Sequence, residues 1–280
     1  MFYLLNNLIQ MKILIRNNDL NEALLGNTNV GFVPTMGSLH KGHISLIKKS
    51  LAQCSKTIVS IFVNPTQFND KNDYKKYPRN LKNDLKILKK LKVDFVYLPN
   101  VNHIYKHKRK SKIIIYKKDQ ILCAKYRKGH FEGVIDVMTR LTKIIKPSKI
   151  FMGEKDFQQL FLVKRYIEKY FKSKIISCKT IRDKNKLALS SRNLLLKKKS
   201  LIKARKISND LISFKKKLFK KSISKKLVLM KKDEIEKSYN VKIEYLEIRK
   251  IKNLQLANKI KNSKIFVAYY LGNIRLIDNF

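Results

Sequence analysis

Cysteine is scarce and scattered. The three thiols, Cys54, Cys123 and Cys178, are odd in number and far apart, which suggests neither a disulfide framework nor a CxxC metal site. A reducing compartment is therefore expected. Long apolar runs are missing too: no stretch of 18 or more apolar residues occurs, so no membrane-spanning helix is expected. The N-terminal MFYLLNNLIQMKILIRNN is broken by Asn6, Asn7 and Gln10 and has no small-residue cleavage site behind it, so it does not read as a signal peptide. The expected location is the cytoplasm. No GxxxxGK[ST], GxGxxG or HExxH occurs, which removes the common P-loop, dinucleotide and zinc-protease readings.

Acid is the other shortage. Only 20 Asp and Glu stand against 64 Lys and Arg, a net charge of +44. Such an excess admits a basic nucleic-acid-binding protein that neutralises phosphates. The lysines, however, are spread along the chain, Asn and Ile are also abundant, and aromatic residues do not interleave with the charge as a stacking platform would. That pattern matches codon drift in an AT-rich genome better than a dedicated interface. No specific nucleic-acid partner is expected, only weak, salt-sensitive adhesion to polyanions.

What is present is ample core material: 44% of 280 residues are hydrophobic, enough for one large or two modest domains. Short β-branched runs read as strands at 30–35, 57–63, 94–99, 149–152 and 174–181. Helix-periodic segments lie between most of them. His43–Cys54 would stripe Ile44, Ile47 and Leu51, and Pro78–Leu91 would start at its proline and stripe Leu81, Leu85 and Leu88. Phe131–Ile145 would stripe Val134, Val137, Met138 and Leu141, and Asp156–Phe171 would stripe Leu160, Val163, Ile167 and Phe171. The alternation predicts an α/β fold with a parallel sheet over 1–180. After about Arg182, a basic helix over Ser200–Lys221, the strand KIEYLEIRK and a hairpin near Gly272 predict a smaller α+β domain over 181–280. No Gly/Ser or Pro linker marks the border.

Ligands of open parallel sheets bind beyond the carboxyl ends of the strands, where helix N-termini attract anions. PTMGSLHKGH, residues 34–43, is such a loop. His40 and His43 fall on one side of the first helical turn, and Gly42 would let a phosphate-bearing ligand approach closely. A second strand end is Gly153-Glu154-Lys155-Asp156, with Lys155 aimed at the same cleft. KLALSSRN, residues 186–193, sets two hydroxyls beside Arg192. VNPTQF, residues 63–68, offers Asn64 and Gln67 to a small hydroxylated acid.

PTMGSLHKGH, VSIFVNPTQF, YPRNLKNDL, GHFEGV, GEKDFQQL and LALSSRN stand in one order, and with them the chain closely resembles the pantothenate synthetase (pantoate–β-alanine ligase) family of the nucleotidylyltransferase-like superfamily. The resemblance implies a Rossmann-like N-terminal domain, a C-terminal lid domain, a homodimer and a reaction using ATP and Mg²⁺ through pantoyl adenylate. It implies an ATP site of Met36, Gly37, Ser38, Leu39, His40, Lys41, Gly42 and His43 with Gly153, Glu154, Lys155, Asp156, Ile181, Leu189, Ser190, Ser191 and Arg192. His43 would be the acid-type catalytic histidine, with His40 and Lys155 on phosphate. Gln67 and Gln159 would hold pantoate, and Gln67 would also meet β-alanine. Asp84 is a candidate metal ligand. The chain departs from the family at Asn185-Lys186-Leu187, where Asp-Gly-Leu is expected, and at Lys128, where proline is expected. Another HxGH-type nucleotidylyltransferase is the rival reading; it would lack the paired Gln67 and Gln159 and the LALSSRN signature.

Overall fold

The computed structural model describes residues 11–105, 113–220 and 222–280; Asn6, Asn7, Gln10 and Lys221 lie outside them. The first elements are β1 (Lys12–Leu14), α1 (Asn17–Leu24), β2 (Val30–Thr35), α2 (Lys41–Gln53) and β3 (Lys56–Ile61). Then come α3 (Lys71–Lys76), α4 (Leu81–Lys90), β4 (Phe95–Tyr97), α5 (Val101–Tyr105), α6 (Leu122–Tyr126), α7 (His130–Ile145), β5 (Lys149–Gly153), α8 (Phe157–Tyr170) and β6 (Lys174–Cys178). These strands form one parallel sheet in the order β1-β4-β3-β2-β5-β6.

Both sheet faces are buried, which is why the strands read as near-continuous apolar runs. Phe32, Ile58 and Ile150 pack with α1, α7 and α8, while Val33, Val59 and Phe151 pack with α2 and α4. The remaining chain supplies α9 (Lys198–Lys217), α10 (Lys225–Tyr239) and the antiparallel sheet β7 (Lys242–Lys250), β8 (Ser263–Leu271) and β9 (Ile274–Asn279). One face of that small sheet joins α9 and α10 in a second core; from the other face Tyr245, Phe266 and Ala268 enter the core shared with α7 and α8.

Several helix faces differ from the sequence expectation. In α2 the buried residues are Leu46, Ile47 and Ser50, while Ile44 and Leu51 are only partly covered. Helix α4 starts at Leu81, capped by the Asn80 side chain, and not at Pro78; Leu81 is exposed and Asp84 takes its place in the interior. The stripe of α7 is buried as expected, and in α8 Leu160, Val163 and Ile167 are buried while Phe171 lies at the edge. Strand β1 and helix α1 have no counterpart in the sequence reading.

Candidate active site

The chain order reverses between β2 and β5: β3 and β4 extend the sheet to one side of this pair and β6 to the other. A crevice opens there, beyond the carboxyl ends. It holds a cavity of about 920 Å³ that is roofed in part by Tyr245, Phe266 and Asp278 of the small sheet.

The loop from β2 to α2 takes its shape from two positive-φ residues, Gly37 at 76° and Ser38 at 53°. Such a path leaves backbone N–H groups turned inward, and Asp84 meets them: its two oxygens accept from Ser38 N at 2.8 Å and Leu39 N at 2.7 Å. Asp84 is 1% exposed and does not line the cavity. Both of its oxygens are engaged by the loop, and it faces the loop backbone instead of the cavity.

His40 caps α2. Its Nδ1 accepts from Gly42 N at 3.1 Å, and His43 Nδ1 accepts from His40 N at 3.3 Å, with ring centroids 4.1 Å apart. A Cβ on Gly42 would come within 2.8 Å of the His40 ring, so the glycine makes room for that histidine as well as lining the cavity. Burial, then the charge of Lys155, lowers the His40 pKa to about 4; burial, then His40 itself, lowers that of His43 to about 3. Both rings are therefore neutral at pH 7. With each Nδ1 accepting, the proton of each sits on Nε2. As a neutral ring, His43 can donate a hydrogen bond from Nε2.

Lys155 follows β5 on a one-turn 3₁₀ segment, Glu154–Asp156, and lies 3.5 Å from Asp156 Oδ1. The LALSSRN loop reaches the same cavity, where Ser191 Oγ donates to Ser38 O at 3.2 Å and Arg192 pairs with Asp73 at 2.7 Å. Lys186 holds φ at 69°, which is the physical reason for a glycine at that position in the expected pattern. Gln67 is oriented by Asn64 Nδ2, which donates to its Oε1 at 3.2 Å, and its Nε2 contacts Met36 Sδ at 3.1 Å.

The cavity thus gathers Met36, His40, Gly42, His43, Gln67, Gly153, Lys155, Asp156, Gln159, Ile181, Leu189, Ser190, Ser191 and Arg192. Gly37, Ser38, Leu39, Lys41 and Glu154 do not line it. Glu154 turns to a neighbouring groove, where it accepts from Ser177 Oγ at 2.7 Å and meets Lys264 at 3.4 Å. Sequence reasoning missed Tyr77, Arg127 and His130, which also line the cavity. GHFEGV was the available signal. His130 Nδ1 donates to Gln67 O at 2.7 Å and its Nε2 faces Arg127 Nη1 at 3.0 Å. Gly133 lets the Gln67 turn approach so closely that a Cβ would sit 2.5 Å from Thr66 O.

Among the described residues no group of three or more His, Cys, Asp or Glu could hold a metal ion. The cavity carboxylates nearest the cations, Asp73 and Asp156, are paired with Arg192 and Lys155. A resident metal cage does not fit this donor set.

Burial of neutral histidines has a consequence for stability. The His130 pKa is lowered to about 3 by burial and then by Arg127. Below its unfolded value of 6.5, the unfolded chain binds protons that the native state refuses, so stability falls as pH falls from 6.5 toward 3. Between pH 7 and about pH 5 this costs roughly 2 kcal/mol for His130, and the lowered values of His40 and His43 act in the same direction. Urea midpoints at the two pH values should show the loss, and it should shrink in His130→Asn. A flat profile counts against the buried, neutral state.

A sequence model described as pantoate-beta-alanine ligase matches residues 8–280. The chain belongs to that family. A pantothenate synthetase of Flavobacterium psychrophilum is 41% identical over 266 residues, covering 93% of this chain and 94% of the relative. That of Francisella tularensis subsp. novicida is 40% identical over 272 residues, covering 94% and 93%. Two solved structures share the fold. Pantothenate synthetase from Thermus thermophilus superposes with a TM-score of 0.89 at 31% identity, covering 96% of this chain and 98% of its own. The Francisella tularensis pantoate-β-alanine ligase, solved in complex with beta-gamma ATP and β-alanine, gives 0.83 at 37% identity, covering 96% and 97%. As a member of the pantoate-beta-alanine ligase family the chain is a ligase. Among its described residues no helix is long and apolar enough to cross a membrane.

Proposed function

We propose that this cavity joins pantoate to β-alanine at the expense of ATP, in two steps. The pantoate carboxylate attacks the α-phosphorus of ATP, and the bond to the β-phosphate oxygen breaks; pyrophosphate leaves and pantoyl adenylate remains. The β-alanine amine then attacks the acyl carbon, loses a proton, and displaces AMP. The observation that carries this reading is the pair of neutral histidines at the α2 N-terminus, with Nε2 as the proton-bearing nitrogen of each, beside Lys155 in one cavity. Such fixed donors stabilise charge that builds on phosphate oxygens and need no protein nucleophile.

In this reading Met36, His40 and His43 face the triphosphate with Lys155 and Arg192, and Gly153, Ile181 and Leu189 to Ser191 complete the nucleotide grip. Arg192 would exchange its partner Asp73 for phosphate. Gln67 and Gln159 hold pantoate, and Gln67 also faces β-alanine. Mg²⁺ arrives with ATP as part of the substrate, where it neutralises the triphosphate. Residues 181–280 act as a lid over residues 1–180, excluding water from the adenylate. The protein works as a homodimer in the cytoplasm.

The test is isotope exchange. Without β-alanine, labelled pyrophosphate should enter ATP, and only when pantoate and Mg²⁺ are present, because the first step is complete and reversible without the amine. Formation of pantothenate with no such exchange overturns the stepwise path.

A further inference from the structure

The turn that carries Lys155 has no cap of its own: Gly153 offers no side chain, and Asp156 makes no capping bond to α8. A one-turn segment this short is not held by its own hydrogen bonds. Its support comes from the far end of the sequence. Asn279 Nδ2 donates to Glu154 O at 2.8 Å and to Lys155 O at 2.9 Å. Those two carbonyls flank the Lys155 Cα, so one amide fixes the peptide planes on both sides of the residue.

The amide is itself held. Asn279 is 3% exposed, and its Oδ1 accepts from Lys264 Nζ at 2.9 Å, so both polar ends of a buried side chain are satisfied. Its backbone is anchored by Arg182, which donates to Asn279 O at 2.9 Å and grips Asp278 through two bonds of 2.7 and 2.9 Å. Lys264 also reaches Glu154 Oε2 at 3.4 Å, closing a ring around the turn. Asn279 belongs to β9 of the small antiparallel sheet, whereas Lys155 follows a strand of the parallel sheet.

We infer that Asn279 is a positioning residue for the ligase reaction, holding the Lys155 turn from the small sheet so that the ammonium group meets developing charge. The inference rests on the phosphate role proposed for Lys155. It also makes the placement of that lysine depend on how the small sheet sits against the parallel one. Displacement of a charge-stabilising group by about 1 Å can cost on the order of 10²-fold in rate, so the clamp acts on turnover more than on substrate affinity.

A double-mutant cycle decides the matter, with kcat and KM for ATP and pantoate measured on Asn279→Ala, Lys155→Ala and the double variant. Asn279→Ala should lower kcat by about 10-fold and move either KM by less than about 3-fold. In the Lys155→Ala background the second substitution should cost nothing further, because the group it positions is gone. Losses that multiply, or a normal kcat in Asn279→Ala, overturn the inference while leaving the Lys155 role standing. A normal kcat in Lys155→Ala removes both. Should Asn279→Ala fold poorly, Asn279→Asp keeps the shape and the Lys264 contact but turns an oxygen toward the two carbonyls; it is expected to reproduce the kcat loss, and a fully active Asp variant also overturns the clamp.

Discussion

Lys155→Ala and His43→Ala should each lower kcat by about 10²-fold or more while the urea midpoint at pH 7 changes little. The expectation follows from where each group sits. Lys155 lines the cavity on a turn held by the Asn279 side chain, and its ion-pair partner, Asp156 at 3.5 Å, has a side chain 47% exposed, so water can solvate that carboxylate once the lysine is removed. His43 presents a neutral donor from the first turn of α2, and its remaining bond, from His40 N, is long at 3.3 Å. Fixed donors matter most when charge develops at phosphorus, and losing one from a preorganised site costs about 10²–10³ in rate. Unchanged turnover in either variant would sink that variant's assignment. Because the His43 pKa is already near 3, the residual activity should keep the same pH dependence above about pH 5.

The second large effect belongs to a residue that does not line the cavity. Asp84→Ala should destabilise the protein by roughly 3–5 kcal/mol, because it removes two charge-assisted bonds and leaves the N–H groups of Ser38 and Leu39 buried without acceptors. That is a large share of a typical total stability of about 5–15 kcal/mol. Whatever folds should bind ATP poorly, since the loop's positive-φ path at Gly37 and Ser38 is held by these bonds. Asp84→Asn, which keeps one acceptor, should fall between. The alanine variant also separates the loop-holding role from a metal role. An unchanged urea midpoint, with activity restored by excess Mg²⁺, would show that the carboxylate binds metal and does not hold the loop.

Periodicity and loop chemistry made much of this molecule readable. The central strands lie within one to three residues of where β-branched runs put them, and the stripes of α7 and α8 are buried almost throughout. Local signals failed where the determinant was a partner distant in sequence. Strand β1 is three residues long, pairs with β4 at the sheet edge, and leaves Ile13 46% exposed, so it is too short to show a strand period. Leu81 fits the stripe of α4 yet faces solvent, because the Ser38 and Leu39 amides draw Asp84 into the interior instead.

The candidate site divides the same way. Residue types and their spacing were enough to indicate a parallel α/β fold, the anion-attracting start of α2, and Lys155, Arg192 and Gln67 as groups that could share one cavity, and the family resemblance added Gln159; all four line it. Only the tertiary structure decided that His43 is a neutral donor, that Glu154 faces the neighbouring groove, that His130 and Gly133 seat the Gln67 turn, and that Asn279 reaches back 124 residues to Lys155. The physical reason is common to all four. Side-chain chemistry and periodicity are local and written in the chain, whereas protonation state, direction and support depend on burial and on partners that folding alone brings together.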